Sequence, residues 1–96
     1  MAINLNSVVS RNPQIISSKM DNEVVMMSVE KGNYYGLNQV GSEIWEKLNE
    51  PLTVTDLCSK LLIEYNVERE QCERDVMTYL EKLVEEGLIL VSDQTA

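Results

Sequence analysis

Residues 33–48 read Asn33-Tyr34-Tyr35-Gly36-Leu37-Asn38, then Gln39-Val40-Gly41-Ser42-Glu43-Ile44-Trp45-Glu46-Lys47-Leu48. The first part is short and aromatic, as strands are, and the second repeats its apolar residues at helical spacing. Asn38 stands at the junction, where a side-chain oxygen can accept from a free amide of a starting helix. Val40, Ile44, Trp45 and Leu48 fall on one helical face, and Gly41 on the same face leaves room for a neighbouring backbone. The stretch predicts a strand that feeds directly into a core helix carrying the only Trp.

Upstream, residues 14–19 with Ile15 and Ile16 read as a weak strand, and Asp21-Asn22 is turn chemistry. Residues 23–29 are a stronger strand, rich in Val and Met. Glu30-Lys31-Gly32-Asn33 is a hairpin loop, with Gly32 suited to positive φ. Residues 34–37 then return as the third strand of an antiparallel meander, at one of its edges. Residues 1–13 read as a flexible or extended N-terminal arm in which Ile3, Leu5, Val8 and Val9 can lie against the body.

Downstream, Asn49-Glu50-Pro51-Leu52 breaks the chain, and Thr53-x-x-Asp56 has the form of a helix-opening box. Val54, Leu57, Cys58, Leu61, Leu62 and Tyr65 follow at helical spacing. A third helix over residues 68–86 carries a central stripe of Cys72, Val76, Leu80 and Leu83, with Tyr79 on one flank and Met77 and Val84 on the other. Gly87 is placed to stop it in a left-handed conformation. Residues 88–91 read as a short closing strand and 92–96 as a tail. The expected fold is α+β: a winged helix-turn-helix over residues 14–91, with a leading three-stranded antiparallel sheet, three helices and the closing strand.

Ninety-six residues make one domain with a modest core. The formal net charge of −8 disfavours nucleic acid and anionic membranes as partners, because both repel it. Two cysteines and no histidine leave no Cys-x-x-Cys pair and no Cys/His cluster, so no zinc or other metal site is expected. Both thiols sit on apolar helix faces and are expected to be free, as in a reducing cytosol. No apolar run is long enough to cross a bilayer, and no signal peptide opens the chain, so a cytoplasmic protein is expected.

Catalysis is the poorer class. Without His, a Ser or Cys nucleophile lacks its usual base. No Gly-rich phosphate loop exists, no cofactor is implied, and the acids at the start of the third helix suit its dipole. DNA reading is the rival that a helix-turn-helix raises. Its reader would be the third helix, whose seven acids against Arg69, Arg74 and Lys82 repel phosphate. Peptide recognition remains: a short edge strand leaves backbone groups unpaired and invites an added strand. Tyr34 and Tyr35 suit such contact as large, stiff, amphipathic groups, although sheet or core packing accounts for them equally well.

The chain resembles the PqqD-like peptide-recognition elements of ribosomal peptide biosynthesis, over roughly residues 22–91. The resemblance rests on Tyr35-Gly36-Leu37-Asn38 leading to Gly41-x-x-Ile44-Trp45, on Thr53-Val54-x-Asp56-Leu57, and on Asp75-Val76-x-x-x-Leu80-x-x-Leu83 before Gly87-Leu88-Ile89. It looks most like the small leader-binding proteins of lasso-peptide pathways. The resemblance implies a non-catalytic protein that takes up a precursor's leader as a further antiparallel strand, between the third strand and the third helix. Carried over, the groove would be lined by Asn33, Tyr34, Tyr35, Gly36 and Leu37 on one side, and by Cys72, Asp75, Val76 and Tyr79 on the other. Implied partners are the precursor leader, a separate leader peptidase of the transglutaminase-like cysteine protease type, and the cyclase. The net acidity would also favour a leader carrying lysines. The alternative within the family is a PqqD-type chaperone that partners a radical-SAM maturase.

Overall fold

The computed structural model describes residues 3–21 and 23–92. Its elements are β1 (Val8–Arg11), β2 (Ile15–Met20), β3 (Glu23–Ser28), β4 (Asn33–Gly36), α1 (Gln39–Lys47), β5 (Leu52–Thr53), α2 (Val54–Glu64), α3 (Arg69–Glu85) and β6 (Ile89–Ser92). The architecture is α+β. A strand between the first two helices and another after the third give an order compatible with a winged helix-turn-helix.

The first sheet is the expected antiparallel meander, in the order β2-β3-β4. Asp21, at φ 51°, begins the β2–β3 turn; its expected companion Asn22 lies outside the described residues. Gly32, at φ 69°, turns β3 into β4, where a residue with a Cβ would be strained. Burial alternates along β3, with Val24, Met26 and Ser28 buried and Val25 and Met27 half-buried between them. One face of this sheet therefore lies on the core and the other is open.

The second sheet runs β5-β1-β6 and was not expected. The segment read as an N-terminal arm supplies its central strand: Val8 pairs with both Thr53 and Ser92, and Val9 with Leu52 and Val91. Its apolar residues explain the fit, since Ile3 and Val9 are buried in the core. The arm also satisfies the start of α2. Val54 donates to the Ser7 carbonyl and Thr55 to the Leu5 carbonyl, both amides that a helix start leaves unpaired. Residues 1–2, and residues 93–96 of the expected tail, lie outside the described residues.

Local signals explain the helix limits. Asn38 Oδ1 accepts from the Gly41 amide at 2.8 Å, and Thr53 Oγ1 from the Asp56 amide at 3.1 Å. At the far end of α3, Gly87 takes φ 76°, and Leu88 donates back to the Leu83 carbonyl. The core gathers Ile44 and Trp45 of α1 and Leu48 at its C-cap with Leu57, Leu61, Leu80 and Leu83 of α2 and α3. Arg11 of β1 stacks 4.8 Å from the centre of the Trp45 ring and donates to the Trp45 carbonyl, tying the second sheet to α1. Val40 departs from its expected place on the core face. It lies in the first turn of α1, beyond the packed interface, and is 48% exposed.

Candidate functional site

Among the described residues the strand β4 has a partner on one side only. Within its pairing with β3, the Leu37 amide donates to the Val24 carbonyl at 2.9 Å. Antiparallel pairs alternate between residues that exchange hydrogen bonds and residues that do not. Given the register of Tyr35 on Met26 and Asn33 on Ser28, Asn33, Tyr35 and Leu37 turn their backbone groups inward. Tyr34 and Gly36 turn theirs out, to the open edge.

Side chains follow the same alternation but divide the two tyrosines between faces. Tyr34 stands on the outer face and is 73% exposed. Tyr35 lies on the inner face, partly buried against the core, with Asn33 beside it. Leu37 is buried beneath the strand. A buried serine fixes how this strand meets α1: Ser42 Oγ accepts from the Val24 amide at 2.8 Å and donates to the Leu37 carbonyl at 3.2 Å. With both its bonds satisfied, Ser42 holds the end of β4 and the start of β3 to one helix.

On the helix side, Cys72 and Val76 are buried and Asp75 is exposed. The three open on one cavity of about 180 Å³, together with Val40 of α1, Leu61 of α2, and Tyr65 and Val67 of the α2–α3 connection. Only Asp75 brings charge to this lining, and both of its oxygens accept from Gln71 Nε2 at 2.9 Å. Tyr79 lies a turn further along α3, with its hydroxyl against Gly41 of α1. Partial burial raises the pKa of that hydroxyl, so it is a donor at neutral pH. Behind the cavity, the Cys72 thiol meets the Cys58 thiol, and burial pushes Cys58 up to about 12; both are free and buried.

The anticipated residues thus fall into two groups. Asn33, Tyr34, Tyr35 and Gly36 form the strand, with Leu37 beneath its end, while Cys72, Asp75 and Val76 share the cavity. Tyr79 joins them by packing on α1 just after β4. Sequence reading missed Val40, Leu61, Tyr65 and Val67 as cavity residues. Val67 carried a usable signal, being an apolar residue in a polar connection, and it is 49% exposed. Leu61 and Tyr65, four residues apart, fit the expected core stripe of the second helix, and Tyr65 stands at the C-cap of α2.

Among the described residues no group of three or more His, Cys, Asp or Glu side chains could hold a metal ion. No described helix is long and apolar enough to cross a membrane. A sheet edge left open among the described residues, and an apolar cavity between α1, α2 and α3, are the equipment of a small α+β binding module. Residues 23–89 match the family model for coenzyme PQQ synthesis protein D (PqqD), and the chain belongs to that family. The fold also matches two solved structures. One is TbiB1 in complex with the TbiA(beta) leader peptide, at 32% identity and a TM-score of 0.79, covering 83% of this chain and 93% of that one. The other is lasso peptide synthetase B1 complexed with the leader peptide, at 29% identity and a TM-score of 0.75, covering 85% and 96%. No curated protein matches the chain.

Proposed function

We propose that this protein recognises the leader segment of a ribosomally made precursor, in the first place a lasso-peptide precursor, and performs no chemistry itself. The observation that carries the reading is the open β4 edge, where Tyr34 and Gly36 direct backbone donors and acceptors outward. The leader adds there as a further antiparallel strand. Main-chain bonds supply affinity, and side chains entering the neighbouring apolar cavity supply selectivity. Similarity to two proteins solved with leader peptides supports this choice of ligand.

The bound leader is then presented, in the cytoplasm, to a separate leader peptidase of the transglutaminase-like cysteine protease type, and the cyclase acts on the released core. A chain without histidine suits an adaptor that leaves acid–base work to such a partner. The family match to a coenzyme PQQ synthesis protein favours a second reading, with the same edge but a client matured by a radical-SAM enzyme. The two differ in which leader binds.

The test is Gly36→Pro, read with a synthetic leader from a precursor encoded beside this protein. Proline removes the outward amide of residue 36 and leaves the inward bonds of Tyr35 and Leu37 intact, which an edge strand tolerates. The variant should remain folded and lose affinity about tenfold, the weight of one well-made backbone hydrogen bond. Unchanged affinity would place the leader elsewhere.

A further inference from the structure

The outer face of the first sheet changes character along its strands. Toward the β3–β4 hairpin, Ile16, Met27 and Tyr34 stand in register across all three strands. Ile16 is 57% exposed, and Val29, in the hairpin turn itself, is 58% exposed. Toward the other end, Met20 pairs with Glu23, which puts a carboxylate on the same face. The hairpin end is therefore apolar and uncharged, on a chain of net charge −8. Exposed apolar surface of this kind marks a place where a partner sits.

Strand polarity says which partner. β4 runs from Asn33, at the hairpin, to Gly36, and the chain then enters α1. A leader added antiparallel runs the opposite way, from the α1 end to the hairpin end. Its N-terminal part lies toward Val40 and the cavity, and its C-terminal part leaves past Asn33. Lys31 Nζ donates to the Glu86 carbonyl at 3.3 Å, which ties this exit to the close of α3. A leader precedes its core, so the bond to be cut emerges at the hairpin end. The exposed apolar row stands at that same end.

We infer that the hairpin end of this outer face, Ile16 and Met27 with Val29 of the turn, is the docking surface for the peptidase that removes the leader. The inference rests on the leader adding to β4, and it assigns that reading a surface for its partner. A bound leader strand would continue the face past Tyr34 by about 4.8 Å. A protein seated there touches the sheet and the leader together, and so distinguishes the loaded module from the empty one. A second copy of the chain fits less well, because it brings another charge of −8 against the first.

The test uses the full chain, a synthetic precursor and the peptidase encoded beside this protein. Ile16→Lys and Val29→Lys each place a charge at an exposed position, and Ile16 lies two strands from the leader edge. Both variants should stay folded and bind leader within about twofold of native. Each should weaken peptidase binding to the loaded protein, and slow leader removal at limiting protein, about tenfold. Met20→Lys, at the far end of the same face, should change neither. A spin label on the C-terminal end of the bound leader should broaden the Lys31 and Asn33 amide signals, and one on the N-terminal end that of Val40. Native peptidase binding and rates in both hairpin-end variants, or the reversed pattern of broadening, overturn this inference and leave strand addition standing. A native dimer that Ile16→Lys dissolves also overturns it, by giving the face to a second copy. No leader binding to the native protein removes the leader-recognition reading itself, and this inference with it.

Discussion

The Tyr79 ring of α3 occupies the space that a Cβ on Gly41 of α1 would need: built there, the Cβ would overlap the hydroxyl and lie 2.7 Å from Cζ. The contact brings α3 against the helix that begins just past β4, and so sets the two sides of the candidate groove beside one another. Glycine at position 41 is a packing requirement, set by the ring of Tyr79.

Gly41→Ala inside a helix would ordinarily gain up to about 1 kcal/mol. Here the ring must leave α1, and lost packing outweighs that gain for a net cost of about 1 kcal/mol. In a Tyr79→Ala background the same change should become stabilising. Urea unfolding of the four proteins checks the reversal of sign; a cost that persists without the Tyr79 ring would assign it to another contact.

Tyr34 and Tyr35, adjacent in sequence, should separate in their effects. Tyr34→Ala removes an exposed outer-face ring and should change stability by less than about 0.5 kcal/mol while weakening leader binding. Tyr35→Ala removes a ring packed on the core and should cost about 1–3 kcal/mol. Thermal melts and binding titrations of both variants decide it. Equal stability losses would contradict the division between faces.

Cys58 predicts an alkaline limit. Burial first, and the Cys72 thiol second, push it from its ordinary value of 9.0 to about 12. A raised folded pKa means that the folded state holds the proton more tightly. Its contribution is therefore complete below about pH 9 and is lost as pH rises toward 12. Stability should fall across that window, and Cys58→Ala should flatten the fall, as followed by denaturant unfolding at stepped pH. An identical slope in the variant would remove Cys58 as its source.

Much of this fold was legible because its decisive signals are local. Asn38 and Thr53 cap helices with neighbours three residues away, Gly32 and Gly87 take the positive φ for which glycine is suited, and the β2-β3-β4 meander is closed by short turns. The second sheet was not legible. Its pairing of Val8 with Ser92 joins opposite ends of the chain, and β5 is only two residues long, too short to show a period. Val40 shows the same limit within a helix. Periodicity placed it on the apolar face, but only the positions of α2 and α3 decide whether that face is core or cavity wall at the first turn. At the candidate site, spacing could group Cys72, Val76 and Tyr79 on α3. It could not reveal that Tyr79 meets Gly41, or that Leu61 and Tyr65 share the cavity with Val40.

The central claim is strand addition at β4, and amide hydrogen exchange of the protein with and without the synthetic leader tests it most directly. Tyr35 and Leu37 already face β3, so their amides should be protected in both states. The amides of Tyr34 and Gly36 should exchange freely in the unliganded protein and slow sharply when the leader binds. Binding that leaves those two amides as fast as before would contradict the account.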